Sequence, residues 1–250
     1  VSDRLLWAIG LGLLGAIIGS FVAALVVRWS SDRSVMHGRS ACDSCGTTLR
    51  AVELVPLLSA LVQRGRCRTC GTAIPAAHWR IEALALLIGA AAGWTVAGPV
   101  AVAGAALGWL LLALGALDLI AFWLPDRLTG LLAASGAASG LWFAPTLTDR
   151  AIGGAVGFGS LWLIAALYRR IRGREGMGGG DPKLFGAVGL WLGWAMLPAV
   201  LLIASLVGLG VVLLAQLRGR AVAASTALPF GTLLAIAAYP AWLFMIAHAA

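Results

Sequence analysis

Trp109-Leu110-Leu111-Leu112-Ala113-Leu114-Gly115-Ala116-Leu117-Asp118-Leu119-Ile120-Ala121-Phe122-Trp123 is an apolar run broken by one carboxylate, and its reading decides the fold. With the apolar residues from Pro99 onward it is long enough to cross a bilayer, which takes roughly 20 residues of helix. Several other runs match it, in a chain of 250 residues that is 61% hydrophobic and only 11% charged. The expected fold is an all-α polytopic membrane protein. Asp118 is the anomaly in that setting. An ionisable side chain inside an apolar segment is costly, tends to face a bundle interior or a wet cavity, and marks a functional site.

A second carboxylate stands in Gly176-Met177-Gly178-Gly179-Gly180-Asp181-Pro182-Lys183-Leu184-Phe185. Gly178, Gly179 and Gly180 can take positive φ and admit another backbone, so they are expected to border a gap wide enough for an extended peptide. Asp181 reads either as an N-cap, with Pro182 at the first helical position, or as the partner of Asp118. Two carboxylates brought together repel, so that one holds a proton while the other polarises a water. Lys183 could orient Asp181, bind lipid phosphate or mark the membrane edge.

About eight transmembrane helices are expected, over residues 5–27, 81–97, 99–117, 127–144, 151–168, 183–195, 196–217 and 229–249. The first reads as a retained span rather than a cleaved signal, because its apolar part is long and its positive charges follow it. Residues 183–217 are too long for one crossing and short for two, and Gly193 and Pro198 suggest a break. The domain division is 1–27 as the first span, 28–80 as a polar insert and 81–250 as a helical bundle.

The insert holds all four cysteines, in Cys42-x-x-Cys45 and Cys67-x-x-Cys70. Two thiolate pairs at this spacing supply the four tetrahedral ligands of a structural zinc, so the insert reads as zinc-ribbon-like. Gly46 and Gly71, after the second cysteine of each pair, suit the tight turns. Two disulfides are the alternative, and would demand an oxidising compartment. His37 and His78 read as ordinary loop histidines. Residues 54–62 are apolar but too short to cross, and suggest a surface-lying or re-entrant helix against the insert.

The net charge of +8 does not point to nucleic acid, because the basic residues flank the apolar runs. Alternating eight spans from an outer N-terminus puts every Lys and Arg except Arg4 and Arg150 on one side, which is then the cytoplasm. The cysteines, Asp118, Asp126 and Asp181 share that side, and a reducing cytoplasm favours zinc. Asp126, after Leu124-Pro125, reads as an N-cap and only secondarily as a catalyst. Tryptophans near span ends, Trp29, Trp79, Trp123 and Trp242 among them, read as interfacial anchors, and Glu82 as a complement to its helix dipole.

These pieces resemble the type IV prepilin peptidases, membrane aspartic endopeptidases of the GxGD type. The resemblance lies in Gly19-Ser20-Phe21, both cysteine pairs, Val55-Pro56-Leu57-Leu58-Ser59, Arg64-Gly65-Arg66-Cys67-Arg68, Asp118 with Leu124-Pro125-Asp126, Gly176 to Leu184, and Leu228-Pro229-Phe230-Gly231. It implies that Asp118 and Asp181 are the catalytic pair of a bacterial inner-membrane enzyme. Such an enzyme cleaves the basic leader of prepilins and pseudopilins at the cytoplasmic face. It also implies N-methylation of the new N-terminus with S-adenosylmethionine as donor. Ala23 replaces the family's usual Asn, and Ala77-His78-Trp79 its Arg-Tyr-Pro, positions that bear on the methyltransferase half. A peptidase without methylation keeps the same fold. A proton-coupled transporter is the other alternative, but leaves the cysteines and the glycine turn without a role.

Overall fold

Two glycine seams set how closely these helices approach. The computed structural model describes residues 2–30, 40–219 and 227–249, so His37, Arg33, Arg39 and Arg220 lie outside the described residues. The helices are α1 (Ser2–Trp29), α2 (Leu58–Val62), α3 (Ala77–Thr95), α4 (Pro99–Ala121), α5 (Asp126–Ser139), α6 (Leu147–Arg172), α7 (Gly180–Leu192), α8 (Leu197–Leu217) and α9 (Phe230–Ala249). Among the described residues the only β pairing is two isolated bridges in the insert. The chain forms two compact units, Val1–Ala113 and Leu114–Ala250.

In the first unit α1 packs along α3. A Cβ on Gly15 or Gly19 would collide with the backbone of Ala85 or Glu82, and one on Gly89 or Gly93 with the backbone of Leu11 or Trp7. Both pairs are spaced i, i+4, the small-xxx-small pattern that brings helix backbones together in lipid. Trp109 of α4 adds an indole N–H donated to the Ala85 carbonyl at 2.9 Å.

The second unit repeats the device. Gly153 and Gly157 of α6 face Gly189 and Phe185 of α7 so closely that side chains there would overlap backbone. The Trp191 indole of α7 donates to the Leu132 carbonyl of α5 at 2.8 Å. Leu184, Phe185, Val188, Trp191 and Leu192 bury most of α7. Gly193, at φ 73° and ψ 174°, ends α7 in a conformation only glycine holds readily, and a short 3-10 turn leads into α8. The expected break in residues 183–217 is therefore real.

Among the described residues five helices are long and apolar enough to cross a membrane: Asp3–Trp29, Pro99–Ala121, Leu147–Arg172, Trp194–Leu217 and Phe230–His248. Each expected span holds a helix, but α5 and α7 have 14 and 13 residues, about 20 Å at the usual rise. The tryptophans are not all anchors. Trp109, Trp191 and Trp242 are buried, and Trp242 stacks with Tyr239.

Arg150 explains its own position as an exception to the charge pattern. Only 2% exposed, it donates through Nη1 to the carbonyls of Gly136, Leu190 and Trp191 at 2.9, 2.8 and 3.1 Å. Its Nε and Nη2 reach the Pro145 and Ala144 carbonyls, both at 2.9 Å. Helix C-termini leave carbonyls without intrahelical partners, and one guanidinium satisfies those of both α5 and α7.

The glycine seam gives a direct test. Gly189→Leu is expected to lower stability by about 3 kcal/mol through overpacking. Gly159→Ala, where a Cβ meets nothing within 4 Å, should leave it unchanged or raise it by up to about 1 kcal/mol. Thermal unfolding in detergent, followed by tryptophan fluorescence, measures both.

Candidate functional site

Both suspect carboxylates end up at the first turn of α9. Asp118 lies in the last turn of α4, which stops where Phe122 turns to φ 49°. Asp181 lies in the first turn of α7. They are 5% and 6% exposed, so neither is an ordinary surface acid. Thr232 donates its backbone N–H to Asp118 Oδ2 at 2.7 Å, and the preceding N–H, that of Gly231, bonds to Asp181. Two successive amides at the positive end of one helix thus hold both groups. A Cβ on Gly231 would meet Leu124 Cδ1 at 2.9 Å and the Asp118 carboxylate at 3.1 Å, tight contacts that glycine avoids.

The Thr232 hydroxyl lies 3.1 Å from Asp118 Oδ2 and 2.8 Å from the Gly115 carbonyl oxygen. One hydroxyl proton serves one acceptor at a time. It can bond to an ionised Asp118, or turn to Gly115 and accept when Asp118 carries a proton. Thr232 was not singled out from the sequence, where a threonine at a helix start is unremarkable; the nearest signal was Pro229-Phe230-Gly231.

Asp181 precedes the apolar part of α7 and lies outside the five candidate spans. Burial raises its carboxyl to about 6, with the charge of Asp118 adding to the rise, while the bonds to Gly178 and Gly231 oppose it. Such a group still holds its proton about half the time near pH 6, where an ordinary carboxyl is almost fully ionised.

Other expectations change. Asp181 is not an N-cap, since Gly179 holds that place without a side-chain bond. Asp126 is not one either: Pro125 precedes it, and Asp126 instead accepts from Lys183 Nζ at 2.7 Å. Lys183 therefore pairs with Asp126, not Asp181, at the rim of an open groove of about 500 Å³ along α5, α6 and α7. None of Gly178, Gly179 and Gly180 has positive φ. Their use is close approach: a Cβ on Gly180 would strike Leu124, Gly178 borders the Asp181 carboxylate, and Gly179 faces open space.

The four cysteines of the first unit form a cluster, with all four sulfurs within 4.8 Å of one another and no disulfide among them. Two loops of the same construction present them. In one, Cys42 N–H bonds to Thr47 O and Gly46 N–H to Cys42 O; in the other, Cys67 N–H bonds to Thr72 O and Gly71 N–H to Cys67 O. Gly46 and Gly71 have φ of 69° and 72°, which glycine takes without strain. Hydrogen bonding from Thr72, chiefly its side chain, draws the Cys70 thiol down to about 6, towards the thiolate that binds metal. The cluster could hold one metal ion. His78 stands outside it, at the start of α3.

Comparison with known proteins follows this division. Residues 13–96 match the bacterial peptidase A24 N-terminal domain, and residues 105–213 match the type IV leader peptidase family. A relative from Burkholderia pseudomallei (strain K96243) is 41% identical over 251 residues, covering 89% of this chain and 81% of its own. The chain belongs to the type IV leader peptidase family. Within that family, a relative from Aeromonas hydrophila is 41% identical over 217 residues, covering 84% and 73% of the two chains. One from Pseudomonas aeruginosa is 35% identical over 259 residues, covering 93% and 88%. All three are named prepilin leader peptidase/N-methyltransferase. No solved structure matches the chain.

Elemental analysis of purified protein is expected to find about one metal ion per chain. Cys67→Ser, at the buried member of the cluster, should lose most of it.

Proposed function

We propose that this chain is a prepilin leader peptidase and N-methyltransferase of the bacterial inner membrane. The observation that carries the proposal is the pair of buried carboxylates, Asp118 and Asp181, held by adjacent amides of α9 in a member of this family. Eight segments, residues 5–27, 81–97, 99–117, 127–144, 151–168, 183–195, 196–217 and 229–249, cross the membrane, so Asp118 and Asp181 stand at its edge. Residues 28–80 form a cytoplasmic metal module and residues 81–250 the peptidase bundle. Both carboxylates open to the cytoplasm, as the placement of Lys and Arg supports. Arg150 weakens that pattern little, since its charge serves helix carbonyls rather than the membrane surface.

The substrate is a prepilin or pseudopilin whose apolar segment stays in the bilayer while its basic leader extends past Gly178 and Gly179. Asp181, with its raised carboxyl, holds a proton and donates it to the scissile carbonyl oxygen. Asp118 takes a proton from the attacking water, and the Thr232 hydroxyl reorients as that proton arrives. No covalent intermediate forms.

The metal is a structural zinc. Cys42 and Cys70 sulfurs are 3.8 Å apart, the edge of about 3.8 Å expected for a tetrahedron with Zn–S bonds of about 2.3 Å. S-adenosylmethionine supplies the methyl group for the new N-terminus.

In vitro cleavage of a prepilin in lipid tests this function. Asp118→Asn and Asp181→Asn should each slow cleavage about 10³-fold, the scale of a lost acid or base. Asp126→Asn loses only an exposed ion pair and should stay within about threefold of wild type. Cleavage by the doubly substituted enzyme at the wild-type rate would overturn the proposal.

Thr232→Val keeps the backbone bond and removes the hydroxyl. It should slow cleavage about tenfold, with prepilin KM little changed.

For Asp181, the pH dependence has a definite sign. Its neutral form favours the fold fully below the ordinary carboxyl value of 3.8, and that contribution is lost as pH rises through about 6. Asp181→Asn should therefore raise the thermal midpoint at pH 8 but not at pH 4, and wild-type cleavage should decline as pH rises past about 6.

A further inference from the structure

One apolar side chain stands between the helix ends that hold the two acids. The chain leaves α4 through Phe122, whose φ of 49° is a conformation aromatic residues rarely take, and enters α5 through Pro125 at its N-cap. Along that short link Phe122, Trp123 and Asp126 are exposed, whereas Leu124 turns inward and is 9% exposed. Lipid would cover a leucine as well as protein does, so the inward turn needs another reason than burial.

Two glycines make room for it. A Cβ on Gly180 would meet Leu124 Cβ, Cδ1 and Cγ at 2.8, 3.1 and 3.4 Å, and one on Gly231 would meet Leu124 Cδ1 at 2.9 Å. Both glycines adjoin the supports of the acids. Gly180 precedes Asp181, and Gly231, whose own N–H bonds to Asp181, precedes the Thr232 N–H that holds Asp118. The same Gly231 position is 3.1 Å from Asp118 Oδ2, so the leucine methyl and that carboxylate share one neighbourhood. Other fastenings do not join α7 to α9 here. Gly186 and Gly189 of α7 meet α6, and the Lys183–Asp126 ion pair, 48% and 74% exposed, is of a kind that holds little.

On the peptidase reading proposed above, we infer that Leu124 is a positioning residue of the cleavage reaction. Filling both glycine notches, it fixes the start of α7 against the start of α9, and so the spacing of Asp118 and Asp181, and it keeps water from that side of the pair. An acid and a base must meet one peptide bond together, and a misplacement of about 1 Å can cost about 100-fold in rate. Dryness matters as well. Burial is the largest cause that raises the Asp181 carboxyl to about 6, ahead of the charge of Asp118, and among the described residues no other charge adds to the shift. Lys183, two residues on, is engaged by Asp126. Leu124 acts on the reaction only through the two carboxylates.

The test compares prepilin cleavage by the full chain in lipid between about pH 4 and about pH 8. Leu124→Ala opens both notches, so kcat should fall about tenfold to 100-fold with KM little changed. Water then reaches Asp181, and the pH above which cleavage declines should move from about 6 towards the ordinary 3.8. Leu124→Met, which keeps the volume, should restore both the rate and the pH profile. Leu132→Ala, at a fully buried leucine of α5, should lower the thermal midpoint as well, yet leave the decline at about 6. The thermal midpoint also reads the carboxyl without substrate. The stability that Asp181 loses as pH rises through about 6 should shrink in Leu124→Ala. Should that variant fail to fold, Leu124→Val gives the same shifts at smaller size. A folded variant whose cleavage declines at the wild-type pH, or a Leu124→Met enzyme no better than Leu124→Ala, would overturn the role of Leu124. Wild-type protein that leaves prepilin uncut would instead overturn the peptidase reading, and the thermal midpoints would then decide whether Leu124 keeps Asp181 dry.

Discussion

Apolar helices gain nothing by hiding from lipid, so in this protein contact itself has to hold them together. Gly15, Gly19, Gly89 and Gly93 in one unit, and Gly153, Gly157 and Gly189 in the other, remove the side chains that would keep backbones apart. Dispersion forces and a few interhelical hydrogen bonds, such as those of Trp109 and Trp191, then act at short range. The buried carboxylates inherit this tightness. Asp181 cannot drift, because its helix is wedged against α6 by glycine contacts one to three turns further on.

The polar residues are few and nearly all are committed. α7 carries Asp181 at its positive end, and Arg150 accepts the charge of its negative end. The α9 terminus serves two carboxylates with consecutive amides, and Glu82 serves the strained Leu57. Among the described residues no buried side-chain nitrogen or oxygen lacks a partner. A chain so sparing with polar groups places two acids together only where they have work to do, which is the physical basis for the proposed peptidase.

Much of this was legible from the sequence, for reasons particular residues show. Apolar runs mark helices because length and hydropathy are additive along the chain, and Gly193 marks a break because its conformation excludes side chains. The cysteine spacing predicted one cluster, and the four sulfurs converge. What escaped depends on three-dimensional neighbours. Asp126 and Asp181 look like caps after Pro125 and Gly180, yet α5 starts one residue and α7 two residues earlier than a cap allows. Trp191 and Trp242 share their composition with interfacial anchors, and only packing tells them apart. Arg150 looked like an exception to the charge pattern, and Thr232 like nothing at all, because the partners that matter, Leu190 and Trp191 for one and Asp118 for the other, lie far away in sequence.

The shortness of α7 bears on biogenesis. Thirteen residues, about 20 Å of helix bearing an aspartate, fall short of the bilayer core and of what a segment needs to partition into lipid unaided. Its faces are instead received by α5, α6 and α9, and its last carbonyls by a guanidinium already in place on α6. Of these neighbours α5 and α6 precede α7 in the chain and α9 follows it, so most of the slot is made before its occupant. The nascent protein would then carry Asp118 without its partner until that late step, and a half-made chain is safe from cutting anything.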